Sequence, residues 1–257
     1  MSKFLRYLGF LSVVLILDQC ATIRQTVPFM GNDSVLTQRQ FWKQYAEFNA
    51  GSHNVAGKGF VQVDVPNLAA KVRAQYGYSS RGLMKLELST IIIGKLADIY
   101  LVGDTAIVND YVNRQSFVDA TENLELPGIG GLTLGDWDLN TLFLGLAKLN
   151  KNEWRYNAEP EPILIRPNEV IKLDARGRIL AWLVHPENSE NLTRQLDLEY
   201  ETEEDAFPVA ITMTDYVLKR KIKLTHQRVV WDDPDFQVKA IAPVFSPKFQ
   251  FSILRDN

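Results

Sequence analysis

From Gly57 onward, apolar and polar positions alternate along the chain. Val61, Val63 and Val65 alternate with Gln62 and Asp64. Ala70, Val72, Ala74, Tyr76 and Tyr78 alternate with Lys71, Arg73 and Gln75, and Met84, Leu86 and Leu88 with Lys85 and Glu87. A period of two sends successive side chains to opposite faces, so these segments predict half-buried strands. Their connections, Pro66-Asn67 and Ser79-Ser80-Arg81-Gly82, are too short for a crossover and require antiparallel neighbours. Further strands are predicted at 96–102, 105–112, 115–119, 162–166, 169–174, 178–185, 195–201, 207–214 and 217–230, with Phe249, Phe251 and Ile253 closing the chain. The expectation is ten or eleven strands, and one antiparallel sheet of that size must curl or close. No internal repeat of roughly 20–50 residues occurs, which argues against a solenoid or a propeller.

Two segments change the period. In 36–48, Leu36, Gln40/Phe41, Tyr45 and Phe48 recur at helical spacing; Asp33 or Ser34 is the expected cap, and Asn49, Gly51 and Asn54 end the helix. Residues 122–150 begin with the loop Pro127-Gly128-Ile129-Gly130-Gly131. A second helix is then expected, with Trp137, Asn140/Thr141, Leu144 and Lys148 on one face and Leu139, Leu142, Phe143, Leu146 and Leu149 on another. It is more apolar than a surface helix needs to be. Such a helix suits the open apolar side of a curled sheet, which makes Leu139, Leu142, Phe143 and Leu146 the candidate residues of a cavity or its lid. Ile91-Ile92-Ile93 obeys neither period. It is either a strand buried on both faces or an apolar tip that meets a membrane or a ligand.

The first twenty residues read as an address. Lys3 and Arg6 precede an apolar stretch from Leu8 to Leu17, which Asp18 ends. This is the layout of a signal peptide, and it is too short for a helix that needs about 20 apolar residues to span a bilayer. Leu17-Asp18-Gln19-Cys20 resembles a bacterial lipobox, although small residues are usual where Asp18 and Gln19 stand. The alternatives are ordinary cleavage at an A-x-A-like site, which is not seen near residue 20, and an incidental cysteine. The expected organisation is a signal peptide over 1–19, a lipidated Cys20 with a tether over 20–34, and a single domain over 35–257. In enterobacteria an Asp after the lipidated cysteine often signals inner-membrane retention; Ala21 points instead to the outer membrane.

Composition removes most chemistry. The 257 residues are 46% hydrophobic, and 28 Lys and Arg oppose 31 Asp and Glu for a formal charge of -3. That balance supplies no footprint for a phosphate backbone, so no nucleic-acid partner is expected. One cysteine and three scattered histidines leave little for a metal or a triad. No G-x-S-x-G occurs. His53 lies in a polar turn, and His185 and His226 read as strand ends, so none is assigned a catalytic role. The acidic clusters Glu199, Glu201, Glu203, Glu204, Asp205 and Asp232, Asp233, Asp235 lack the spacing of a calcium loop and read as solvated turns. Gly128, Gly130 and Gly131 lack the Lys-Ser/Thr of a phosphate loop. No metal, no cofactor and no enzymatic activity are expected.

The order of features resembles the lipoprotein-carrier superfamily of the bacterial Lol pathway, most closely its anchored outer-membrane, LolB-like branch and related lipoproteins. The carrying residues are the anchor at Leu17 to Cys20; the opening helix followed by Gly57-Lys58-Gly59-Phe60-Val61; Leu126-Pro127 with Leu139-Asn140-Thr141-Leu142-Phe143-Leu144-Gly145; and Phe207-Pro208-Val209-Ala210-Ile211, Ile222-Lys223-Leu224 and Trp231-Asp232-Asp233-Pro234. The resemblance implies an α+β fold, an incomplete antiparallel β-barrel with helices covering its concave apolar face. It also implies a monomer anchored in the outer membrane and facing the periplasm. Such a protein holds the acyl chains of lipoproteins in transit and meets a periplasmic carrier protein. The branch carries an exposed apolar residue on a loop between early strands, and Ile91, Ile92 and Ile93 are the nearest position here. The alternative is a structural or assembly lipoprotein whose half-barrel docks a protein partner.

Overall fold

The computed structural model describes residues 35–50, 54–66, 68–79, 82–121, 124–126, 132–133, 145, 147, 149–186, 189, 191–202, 205, 207–231, 238–239, 241–244 and 250–253. The expected signal peptide, Cys20 and the tether lie outside these residues. So do the loop at 127–131, most of the expected mid-chain helix with Leu139, Leu142, Phe143 and Leu146, His53, and the cluster Asp232, Asp233, Asp235.

The first element among the described residues is helix α1 (Gln38–Ala50). Its cap is Thr37 rather than Asp33 or Ser34. The Gln40 amide donates to Thr37 Oγ1 at 3.4 Å, and the Thr37 amide donates to Gln40 Oε1 at 2.9 Å. This reciprocal pair is a capping box, which satisfies two of the amides a helix start leaves open.

The N-terminal strands are β1 (Val55–Val65), β2 (Leu68–Tyr78), β3 (Leu83–Thr90), β4 (Gly94–Val102), β5 (Thr105–Asp110) and β6 (Gln115–Ala120). Two short strands, β7 (Glu125–Leu126) and β8 (Leu132–Thr133), pair only with each other. The series continues with β9 (Arg155–Asn157), β10 (Ile163–Arg166), β11 (Glu169–Leu173), β12 (Ile179–Val184), β13 (Arg194–Glu199), β14 (Ala210–Asp215), β15 (Arg220–Trp231) and β16 (Gln250–Ile253). Fourteen of these form one sheet in the order β16-β6-β5-β4-β3-β2-β1-β15-β14-β13-β12-β11-β10-β9. The edge strands β16 and β9 do not pair with one another, so the sheet is an open, incomplete barrel. It exceeds the expected ten or eleven strands, and of its members only the short β9 lies outside the segments that the alternation marks.

The alternation read from the sequence becomes one continuous apolar face. Tyr156, Leu164, Ile171, Trp182, Leu196, Met213, Ile222 and Val63 stand side by side across eight strands. Tyr76, Leu86, Ile99 and Val108 continue the face across β2 to β5. Helix α1 packs on it through Phe41, which is 1% exposed and stacks on Tyr156 at 5.0 Å between ring centroids. Tyr45 extends the cover: its hydroxyl accepts from the Leu149 amide at 2.6 Å and donates to the Ala147 carbonyl. Each large apolar side chain so buried stabilises the fold by about 1.5–3 kcal/mol relative to exposure.

Three particulars depart from the expectation. The edge pair β6–β16 is parallel, within an otherwise antiparallel sheet. The chain reaches that edge by crossing the outer face: the Val244 amide donates to Asn109 Oδ1 and Ser116 Oγ at 3.2 and 3.0 Å, and Asn109 Nδ2 donates to the Ala242 carbonyl at 3.2 Å. Residues 217–219 are turn, not strand, because the Asp215 carboxylate accepts the Val217 and Leu218 amides at 3.0 and 2.8 Å. Asp205 is buried rather than solvated; its carbonyl accepts Arg178 Nη1 at 2.8 Å, and Arg178 also holds Asp174 and lies over the Tyr200 ring.

β1 joins the two halves, pairing with β2 on one side and β15 on the other. Its Gly57 stands opposite Tyr76, whose ring lies where a Cβ would be, 2.1 Å from the ideal position. Tyr76 then reaches His226 Nδ1 with its hydroxyl, and the two rings meet edge to face at 5.6 Å. His226 sits inside β15, 7% exposed, rather than at a strand end. Gly57→Ala is expected to lower the urea unfolding free energy by about 1–3 kcal/mol, the usual cost of overpacking. An unchanged midpoint would show that the tyrosine ring has room to move.

Candidate functional site

The antiparallel order assigns every turn to one of two ends of the sheet. The turns after β1, β3, β5, β10, β12 and β14 lie at one end; those after β2, β4, β9, β11 and β13 lie at the other. Ile91, Ile92 and Ile93 form the turn between β3 and β4, at the first of these ends. They are 79%, 95% and 69% exposed. The reading of a strand buried on both faces is therefore wrong for this segment. The alternation of Met84, Leu86 and Leu88 stops at Ser89-Thr90, and two features turn the chain: Thr90 Oγ1 accepts the Ile93 amide at 3.0 Å, and Gly94 adopts φ 82°.

The base of this turn is braced on the outer face. Lys95 Nζ lies 2.7 Å from Asp98 Oδ2 and 3.8 Å from Glu87, and it sits over the Tyr111 ring. The Tyr111 hydroxyl donates to the same Asp98 oxygen at 2.9 Å. Burial, and then the bond to Asp98, push the Tyr111 phenol up to about 12. The hydrogen bond from Lys85 pulls the Glu87 carboxyl below its ordinary value. Two strands, β3 and β4, and the turn after β5 are thus tied together beneath an apolar tip that makes no use of them. The strands hold the tip, and the tip contributes nothing to the core.

A groove of about 460 Å³ lies on the outer face, across β15, β1, β2 and β3 and beside residues 238–239. Its chemistry is cationic. Lys58, Lys85, Arg228 and Lys239 line it against one carboxylate, Glu87, which Lys85 and Lys95 already engage. Lys58 and Arg228 are direct cross-strand neighbours, an arrangement of like charges that costs free energy. This groove is on the face opposite the one where the sequence placed a cavity, and its lining is unlike an acyl-chain pocket. On the apolar face the described residues are packed, from Val63 and Leu86 at 0% exposure to Trp182 partly buried. Among the described residues no three His, Cys, Asp or Glu side chains come together as a metal ion would require.

No family model matches the chain, and no curated protein matches it. Solved structures do. A domain named for outer-membrane lipoprotein sorting, from Vibrio parahaemolyticus, superposes with a TM-score of 0.51 at 9% identity, over 75% of this chain and 91% of that one. A LolA superfamily protein from Nitrosomonas europaea gives 0.48 at 13% identity, over 76% and 93%. A DUF1329 family protein from Desulfovibrio piger gives 0.48 at 7%, over 75% and 91%. The likeness to the Vibrio domain is one of fold. The incomplete barrel that the sequence resemblance implied is the fold observed.

Because Ile92 is 95% exposed, Ile92→Glu is expected to leave the thermal midpoint and the urea unfolding free energy within about 0.5 kcal/mol of the parent. A loss of several kcal/mol would place the isoleucine in a packed site instead.

Proposed function

We propose that this chain is a non-catalytic envelope lipoprotein that holds acyl chains against the apolar face of its open sheet and acts in lipoprotein localisation. The observation that carries the reading is the fold: a single apolar face on a sheet that does not close, in a chain whose fold is like that of the Vibrio lipoprotein-sorting domain. The physical case is simple. Burying an acyl chain is worth about 0.8 kcal/mol per CH₂, and only an extended dry surface supplies that burial. Here the apolar face runs across more than ten strands, and the described part of its cover is one helix and the segment that Tyr45 pins at Ala147 and Leu149. Cargo enters between the sheet and this cover, and the cargo-lining role of Leu139, Leu142, Phe143 and Leu146 belongs to the same reading. Ile91, Ile92 and Ile93 are the part that meets the bilayer or the cargo during delivery. The anchor is an acylated Cys20, placing the protein on the periplasmic side of a Gram-negative outer membrane, within reach of a periplasmic carrier protein.

Native mass spectrometry tests the central claim. A chain beginning at Ala21 carries no acyl group of its own, so any lipid it retains is cargo. A stoichiometric adduct that a triacylated lipopeptide displaces is the expected result. A clean protein mass with no uptake would overturn the carrier reading and favour a half-barrel that docks a protein partner. The anchor has its own test. Cys20→Ala is expected to move the protein from the membrane fraction to the soluble periplasm, and continued sedimentation with the outer membrane would remove the lipobox assignment.

A further inference from the structure

Exposed large hydrophobic side chains in turns are not spread evenly over the molecule. Among the described residues they are Ile91, Ile92, Ile93, Val112, Tyr216, Val217 and Leu218. All seven lie at one end of the sheet, in the turns after β3, β5 and β14. At the other end no described turn exposes a large hydrophobic side chain: Asp104 follows β4, where Val102 closes the strand at 41% exposure, and Glu159 and Glu161 follow β9. Turns tolerate polar residues freely, so folding gives no reason for this asymmetry.

The turn after β14 is a second built apolar tip. Asp215 accepts the Val217 and Leu218 amides, Lys219 adopts φ 51°, and the Tyr216 hydroxyl donates to Gln195 Oε1 at 2.9 Å. The backbone is thereby held so that Val217 projects, 67% exposed, with Leu218 beside it at 47%. Three consecutive cations follow, Lys219, Arg220 and Lys221. The acidic groups near them are Asp215, committed to the turn amides, and Asp64, which stands opposite Lys221 in the ladder.

The two tips are compatible with one plane. They are separated by four strand spacings, roughly 20 Å at about 4.8 Å per strand. Ser89, one residue before the end of β3, is level through Arg73 and Phe60 with Thr225, five residues from Arg220 at the base of the second tip. The resulting stagger, about four residues, is of the size that a strand tilt of roughly 35–45° produces in a barrel.

We propose that this end of the sheet is a two-pronged docking surface for an anionic phospholipid bilayer, in which Val217 and Leu218 enter the interface beside the isoleucine turn while Lys219, Arg220 and Lys221 meet the headgroups. Apolar insertion combined with a basic cluster is the chemistry by which proteins hold to the surface of an anionic membrane. The inference extends the reading in which the isoleucine turn meets the bilayer, and adds to it a second contact and a lipid charge.

The test places one environment-sensitive nitrobenzoxadiazole label on the full chain in a Cys20→Ser background, at Val217→Cys, at Ile92→Cys or at Asp104→Cys on the opposite end. Vesicles are phosphatidylcholine alone, or phosphatidylcholine with phosphatidylglycerol at 3:1. The expected result is a several-fold rise and blue shift of emission at 217 and 92 on the anionic vesicles, with neither at 104. Lys219→Glu with Lys221→Glu, both at exposed sites, is expected to abolish most of the response at 217. A response at 92 without one at 217 overturns this inference and leaves the isoleucine-turn reading standing. Silence at both positions overturns both. An equal response at 104 overturns the orientation, and an equal response at 217 on neutral vesicles overturns the preference for anionic lipid.

Discussion

The architecture depends on the pairing of β1 with β15. Val55 meets Trp231 and Asp64 meets Lys221, bringing together segments separated by most of the chain. Without that ladder there would be two smaller sheets, each with an apolar face and a raw edge. With it, one face runs unbroken from Tyr156 on β9 to Val108 on β5. Two glycines make the pairing possible. Gly57 leaves space for the Tyr76 ring, and Gly59 lets the Thr225 carbonyl approach to 2.2 Å from where a Cβ would be. The register shift at Lys58/Gly59 sits at the same place, so His226 turns toward the apolar face and Arg228 toward the outer one. Tyr76 and His226 then bond across the gap, a polar link that burial makes demanding; the phenol is held far above its ordinary pKa by loss of water.

That single face makes an acyl-chain role physically reasonable. A sandwich would cover such a face with a second sheet. Among the described residues the cover includes one helix and a pinned segment, held by hydrogen bonds from Tyr45 and Tyr156. The same openness leaves edges, and the chain manages one of them by crossing the outer face to lay β16 beside β6. The outer face is strongly polar, with the cationic groove over β1 and β2 and the brace of Glu87, Lys95, Asp98 and Tyr111 below the isoleucine turn. Among the described residues, the exposed large hydrophobic side chains in turns are gathered at one end, and others, such as Val102, Ile165 and Leu180, stand singly in strands.

Much of this was legible from local pattern. The alternation through 61–65, 70–78 and 84–88 marked strands whose register later proved continuous, and the helical spacing from Leu36 to Phe48 marked α1. Other features had a local signal that was not used. Thr37-x-x-Gln40 carries the capping-box signal, inside the helical period that opens at Leu36. The alternation of Ile222 and Leu224 with Lys221 and Lys223 suggests a strand reaching back to 217, although Asp215 is a residue that caps turns. The break of period at Ile91-Ile92-Ile93 was visible, but its two meanings could not be separated by counting positions.

What the sequence determined by itself is the kind of element and the existence of one apolar face, because both depend on side-chain periodicity over five to ten residues. The tertiary structure alone decided which strands are neighbours, and hence that Gly57 faces Tyr76, that Tyr76 reaches His226, and that β16 runs parallel to β6. It also decided that the turns after β3, β5 and β14 emerge at one end. Those facts rest on pairings between residues far apart along the chain. Loop-closure entropy opposes each of them, and only the burial of the whole face together outweighs it. No window of local sequence contains that sum.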